Sequence, residues 1–251
     1  MKGLLLAGGK GTRLRPLTRV TNKHLLPVGR FPMIYYPLHT LIEMGLREIM
    51  IVVGGESIAD VMALLGSGSR FGVNLSYRVQ DEAGGIAQAV GLAEGFAREE
   101  HIVVILGDNI FHEPMSGYLE RFRQSGAEAA IFYKKVDHPE RFGVLELDGA
   151  GRPLRIEEKP AQPKSPYAVT GLYIYPPSVF DIVRGLKPSA RGELEITDVN
   201  NAYIERGQMC AFELSGFWSD AGTFQTLRRA SNFALDNEFH WYHTISEPVG
   251  Q

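Results

Sequence analysis

The sequence predicts an α/β protein built on a mostly parallel sheet covered by helices. Three observations lead there. Apolar runs alternate with amphipathic stretches through the first half, and the first run ends in a glycine-rich loop. The chain has 251 residues with 44% apolar content, enough to bury a large core in one domain.

The elements follow in order. Gly3–Ala7, Glu48–Val53, Asn74–Val79 and Ile102–Leu106 read as strands. Between them Pro32–Met44, Ser57–Leu65 and Gly85–Arg98 read as helices. Pro32 suits a first helical turn, and Gly45 and Gly66 stand where helices stop. Such alternation implies βαβ units, whose ligands lie outside the carboxyl ends of the strands. The second half changes character. Gly143–Leu147 and Leu154–Glu158 flank Asp148-Gly-Ala-Gly-Arg152, a hairpin signal. Tyr167–Tyr175 reads as a strand, Glu193–Arg206 as a helix, Met209–Glu213 and Phe217–Ser219 as short strands, and Thr223–Asp236 as the last long helix. A tail from Asn237 carries Phe239, Trp241, Tyr242, His240 and His243. A helix end, an oligomer contact or a loose terminus each accounts for it.

Composition excludes several classes. Net charge is −3 with Lys and Arg dispersed, so no basic face suggests a nucleic-acid partner. The single Cys210 rules out an internal disulfide framework and fits a reducing, cytoplasmic setting. No apolar run approaches the roughly 18 residues of a membrane span, and glycines interrupt the N-terminal run before it resembles a signal peptide.

The loop after the first strand, Gly8-Gly-Lys-Gly-Thr-Arg13, joins three glycines to two cations, with Arg15 beyond. Glycines allow close approach of backbone N–H groups to an anion, so the expected guest is a polyphosphate. The Rossmann pattern fails because Leu14 stands where its last glycine belongs. The Walker pattern fails because Thr12 and Arg13 follow Gly11. These failures argue against an NAD(P) oxidoreductase. Lys23 precedes Leu25-Leu-Pro27 and is either a solvated loop lysine or a phosphate ligand. Gly107-Asp108-Asn109 follows a buried strand, where a carboxylate is placed to hold Mg²⁺ beside phosphate oxygens. Asp220 is a second candidate ligand or an N-cap for the helix near Thr223; with Asp108 and the loop, a two-aspartate site is the better reading. Both aspartates being present argues against a catalytically silent nucleotide sensor. Gln80 and the Gly85-Ile-Ala-Gln88 segment follow a strand, and an amide there has the means to read a base edge. Glu157-Glu-Lys-Pro160 and Lys187–Asp198 add further charge, with Lys159 fixed by the following proline. No serine elbow, zinc spacing or cysteine–histidine pair emerges.

Taken in order, these segments resemble the sugar-1-phosphate nucleotidylyltransferases, most closely the glucose-1-phosphate thymidylyltransferases. The matching stretches are Leu6–Leu14, Lys23 with Leu25-Leu-Pro27, Pro32–Pro37, Gly85–Gln88, Leu106–Ile110, Glu140–Gly143, Glu157–Pro160, Tyr167–Gly171, Lys187–Asp198 and Asp220–Thr223. The resemblance implies the nucleotide-diphospho-sugar transferase fold with an inserted sugar-binding part. One domain, 1–251, divides into a nucleotide half (about 1–110), a sugar half (about 111–236) and a tail (237–251). The implied reaction joins dTTP to glucose 1-phosphate, giving dTDP-glucose and pyrophosphate for deoxysugar synthesis such as that of rhamnose; a uridylyltransferase is the runner-up.

By the same resemblance Arg13, Lys23 and Lys159 are catalytic. Leu6, Ala7, Gly8, Gly9, Gly11, Thr12 and Gly107 line the nucleotide, Gln80 and Gly85 read the pyrimidine, and Asp108 and Asp220 hold Mg²⁺. Glu158, Gly143, Thr170 and Gly171 meet the sugar, and Arg191 its phosphate. His24 departs from the glutamine of many members. The chain stops soon after its last helix, whereas longer members carry a helical extension that contributes to assembly and regulation. The resemblance therefore carries over a homo-oligomer and no particular stoichiometry.

Overall fold

The computed structural model describes residues 1–243; the last part of the predicted tail, 244–251, lies outside the described residues. In chain order the strands are β1 (Lys2–Ala7), β2 (Pro27–Val28), β3 (Phe31–Pro32), β4 (Glu48–Gly54), β5 (Asn74–Gln80), β6 (Ile102–Leu106), β7 (Asn109–His112), β8 (Ala129–Lys135), β9 (Gly143–Leu147), β10 (Pro153–Glu158), β11 (Tyr167–Tyr175), β12 (Met209–Glu213) and β13 (Phe217–Asp220). The helices are α1 (Tyr35–Glu43), α2 (Ile58–Leu65), α3 (Ile86–Gly91), α4 (Glu94–Ala97), α5 (Tyr118–Ser125), α6 (Val179–Gly185), α7 (Ile196–Glu205) and α8 (Phe224–Asp236).

The main sheet runs β10-β9-β11-β6-β1-β4-β5, with β8 bridging β11 and β12. Strands β6, β1, β4 and β5 are mutually parallel, and β11 turns antiparallel against β6. The α/β reading therefore holds, with the first half wholly parallel and the second half mixed: β9, β10 and β11 run antiparallel to their neighbours, while β12 lies parallel to β8. Alternation along β1 explains the layers. Leu5 and Ala7 face one core with α1, α2 and α5, while Leu4 and Leu6 face the other with α3, α6 and α7. Both faces are thus covered, which is why β1, β4 and β6 carry continuous apolar runs.

Several boundaries move. The helix expected from Pro32 begins at Tyr35, because Pro32 instead pairs with Pro27 in the two-residue β2–β3 ladder. The helix expected over Gly85–Arg98 is two pieces, α3 and α4, separated at Leu92–Ala93. The helix expected over Glu193–Arg206 starts at Ile196, since Glu193 and Leu194 belong to a non-helical strap that ends in the extended Glu195. In that strap the Leu194 N–H donates to the Gly84 carbonyl at 2.8 Å, and the Leu194 carbonyl accepts from Ala87 N–H at 3.2 Å. The strap thereby bridges the first and second halves. The helix α8 ends at Asp236, and the aromatic tail folds back as a separate short turn, His240–His243; Phe239, Trp241 and Tyr242 pack on a third core containing Tyr36, Ala230 and Ala234. The Tyr242 hydroxyl donates to the Ala234 carbonyl.

Candidate active site

Two cavities open at the carboxyl ends of β1 and β6, one of about 610 Å³ and one of about 210 Å³. The larger is walled by Leu6, Gly8, Gly9, Thr12, Lys23, His24, Gln80 and Gly85, and the smaller by Gly143, Glu158, Thr170, Gly171, Trp218 and Asp220. Arg13, Asp108, Lys159 and Arg191 belong to both walls. The predicted site residues therefore converge, and with Glu193, which also belongs to both walls, the junction carries three cations and two carboxylates. Ala7, Gly11 and Gly107 are the exceptions. Ala7 is buried, Gly11 makes the left-handed turn into Thr12–Leu14, and Gly107 is wedged between the Leu6 carbonyl and the His24 ring. Lys10 and Arg15 line neither cavity.

The β7–β13 pairing places the aspartates. Its register sets Asp220 opposite Asn109, and the Ala221 N–H donates to the Asp108 carbonyl at 2.7 Å. A Cβ built on Gly222 lies 3.0 Å from Arg13 Nη2, 3.1 Å from Asp220 Oδ2 and 3.4 Å from Asp108 Oδ2, so the three side chains meet at one point. Asp220 is thus a strand-end carboxylate and not the N-cap. Thr223 caps α8 through a reciprocal box with Thr226.

Lys23 is no solvated loop lysine. Its Nζ donates to Asp108 Oδ2 at 2.5 Å, with only 14% and 11% of the two side chains exposed. Burial alone pushes the Asp108 carboxyl up, yet the Lys23 ammonium and a hydrogen bond from Asn109 hold it well below the usual range. Asp220 is pushed up, first by burial and then by the charge of Asp108, while Arg141, Arg13 and Lys23 pull the other way. His24 is buried beside them and lowered to about 3 by burial and by Lys23, so it is neutral at pH 7. Asn22 Oδ1 already accepts the His24 backbone N–H, which makes Nδ1, 2.6 Å away, the protonated ring nitrogen.

Cations and acids alternate around the smaller cavity. Lys159 adopts φ 44°, an uncommon left-handed conformation for a non-glycine residue and a frequent mark of functional strain. Its Nζ pairs with Glu158 Oε1 at 3.0 Å, and Glu158 Oε2 accepts from Thr197 at 2.7 Å. Arg191 is held by Glu195 at 3.1 Å through Nε and at 2.7 Å through Nη2. Burial works against the charge on Glu195, but the bonds from Arg191 and Ser189 keep its carboxyl below the ordinary value. The Thr170 hydroxyl is engaged by the Phe132 carbonyl, so it does not face the cavity as a free donor.

Asn109, Arg141, Glu195, Thr197 and Trp218 also line the smaller cavity and were not singled out as site residues. Asn109 is the hub among them. Its Oδ1 accepts from Gly171 N–H at 2.9 Å and from Trp218 Nε1 at 2.8 Å, and its Nδ2 donates to Asp108 Oδ1 at 3.1 Å. Its position directly after Asp108 was the available signal, but an inward amide is visible only once β7 is paired.

Comparison with known proteins follows the same outline. The nucleotidyl transferase family model matches residues 2–237. A glucose-1-phosphate thymidylyltransferase of Mycolicibacterium smegmatis is 47% identical over 99% of this chain and 87% of its own length. That of Neisseria meningitidis serogroup A is 46% identical over 93% and 82%. A crystal structure of a Bacillus anthracis protein assigned the same activity, in complex with sucrose, superposes with a TM-score of 0.91. It shares 54% identity and covers 95% of this chain and 97% of that one. A UDP-glucose pyrophosphorylase bound to UDP-glucose superposes with a TM-score of 0.81 at 25% identity, over 92% and 97%. Among the described residues no helix is long and apolar enough to cross a membrane. The chain belongs to the nucleotidyl transferase family, in which relatives at 46–47% identity are glucose-1-phosphate thymidylyltransferases.

Proposed function

We propose that the protein transfers the thymidylyl group of dTTP to glucose 1-phosphate, releasing pyrophosphate. The observation that carries this reading is the junction between the cavities, whose shared wall brings the cations Arg13, Lys159 and Arg191 together with Asp108. A phosphate oxygen of the sugar phosphate forms a bond to the α-phosphorus as the bond from that phosphorus to the pyrophosphate oxygen breaks. Such chemistry needs alignment and charge cancellation more than covalent help.

The nucleotide fills the larger cavity, with Leu6, Gly8, Gly9 and Thr12 along it and Gln80 and Gly85 at the base. Arg13 offsets charge on the departing pyrophosphate, where a planar fork serves better than a point charge. Lys23 supports the phosphates from below Gly9, whose Cβ position lies 3.3 Å from its Nζ. The sugar occupies the smaller cavity against Gly143, Glu158, Thr170 and Gly171. Lys159 and Arg191 exchange their carboxylate partners for the sugar phosphate. The Lys159–Glu158 pair is partly exposed, and such a pair contributes only about 0–1 kcal/mol, so for Lys159 the exchange is inexpensive.

Asp108 and Asp220 fit a magnesium ion: a buried and a partly buried carboxylate meet at Gly222, and Mg²⁺ takes one or two carboxylates together with phosphate oxygens. When bound, the ion supplies charge neutralisation at the phosphates. Mixing the purified protein with dTTP, glucose 1-phosphate and Mg²⁺ tests the reading. Equimolar dTDP-glucose and pyrophosphate are expected by mass spectrometry and are lost in EDTA; no sugar nucleotide from either dTTP or UTP refutes it.

A further inference from the structure

The amide of Gln80 is not free to turn. A glutamine amide presents one acceptor oxygen and two donor hydrogens, and a 180° rotation about its last bond exchanges them. In this site both orientations are decided by backbone groups whose roles are fixed. Gln88, on α3, folds its side chain back so that Oε1 accepts from the Gly84 N–H at 3.1 Å. A backbone N–H only donates, so the Gln88 atom facing it is the oxygen. That oxygen also receives Gln80 Nε2 at 2.7 Å. The second hydrogen on Gln80 Nε2 is directed toward the Gly85 carbonyl at 3.4 Å, and a carbonyl only accepts.

Both donors of Gln80 are therefore turned toward Gln88 and Gly85. Its Oε1 lies on the opposite side, against Gly8, in the wall of the larger cavity. A Cβ at Gly8 would collide with that oxygen, so a side chain there would displace the amide from this position. Among the described residues no donor reaches it. Gly85 completes the frame: its φ of +100° and the Leu194 carbonyl 2.5 Å from its Cβ position fix the turn that carries both contacts.

We infer that Gln88 is a positioning residue that sets the polarity of the Gln80 amide, so that this side chain offers the base an acceptor and no donor. This rests on the proposed use of the larger cavity for a nucleotide. Thymine and uracil carry a ring N–H at N3 that such an oxygen receives. Cytosine carries an unprotonated N3 there, and two acceptors would face each other. Discrimination between the pyrimidines is thereby assigned to a residue one step removed from the base.

The test compares pyrophosphate release with dTTP and with dCTP, at fixed glucose 1-phosphate and Mg²⁺, for wild type, Gln88→Glu and Gln88→Met. Glutamate keeps acceptor oxygens toward Gly84 and Gln80, so its dTTP/dCTP ratio of kcat/KM stays within about threefold of wild type. Methionine keeps length without an acceptor and frees Gln80 to turn. Its ratio falls about 10- to 100-fold, the scale of one mismatched buried hydrogen bond, mainly because dCTP improves. Calorimetric titration of dTDP and dCDP gives the same comparison without turnover, and Gln88→Leu serves if the methionine variant does not fold. An unchanged ratio in Gln88→Met, or an equal collapse in Gln88→Glu, overturns the inference. Wild type inactive with both dTTP and UTP overturns the underlying function instead.

Discussion

Lys23→Met removes the ammonium that compensates Asp108 in a pair whose side chains are 14% and 11% exposed. Losing one member of a buried pair costs about 3–5 kcal/mol, because the remaining charge stays in a poorly solvated place. The lower end applies here, since the pair borders a cavity that admits water. A loss of about 3 kcal/mol corresponds to a fall in Tm of about 6–12 °C for a chain of this size. The pH dependence has a definite sign. Asp108 is depressed in the folded wild type, so its contribution is complete above its unfolded value near 4 and disappears as pH falls through the still lower folded value. In the variant, burial acts without Lys23 and raises the carboxyl, which destabilises the fold at neutral pH and is relieved by protonation. The difference in Tm, measured by calorimetry in EDTA, is therefore largest at pH 7 and narrower at pH 4. Adding Asp108→Asn to the variant recovers most of the loss. A pH-independent difference, or a double variant no better than the single one, refutes the reasoning.

Asp220→Asn keeps the shape of β13 but removes one of two facing carboxylates, and kcat falls by at least about 100-fold, or roughly 2.7 kcal/mol; near-normal turnover would remove Asp220 from the metal site. Lys159→Ala raises KM for glucose 1-phosphate about 10- to 150-fold, the range of a charge-assisted hydrogen bond, while dTTP affinity by calorimetry hardly moves. Equal losses for both ligands would make Lys159 part of the scaffold. Thr223→Ala opens the capping box of α8 and costs about 1 kcal/mol, seen as a Tm fall of about 2–4 °C; no fall would mean that Thr226 caps alone.

Local pattern carried much of the fold. β6 and β11 match their apolar runs residue for residue, because glycine, proline or charge bounds each run. The glycine loop was legible for the same reason, since neither a strand nor a helix tolerates that composition. What stayed hidden depends on distant partners. Pro32 suits a helix start, yet pairing with Pro27 claims it for a strand. The Lys23–Asp108 contact spans 85 positions, and the Asp220–Asn109 register spans two strands with no local signature. Asn109 reads as an ordinary polar residue until Trp218 and Gly171 are brought to its oxygen. For Gln80 the sequence suggested an amide at the end of a strand and withheld which end of it faces the cavity, because Gln88 and Gly84 decide that in three dimensions.

The most direct test of the central claim is the rate of pyrophosphate release by the wild-type protein across dTTP, UTP, dCTP, ATP and GTP, each with and without glucose 1-phosphate. The account predicts the highest kcat/KM for dTTP and a measurable second place for UTP, since one methyl group in an apolar pocket is worth only about 1–3 kcal/mol. Purine triphosphates fall far behind, and release requires the sugar phosphate throughout. A purine triphosphate surpassing dTTP, or pyrophosphate appearing at full rate without glucose 1-phosphate, would contradict it.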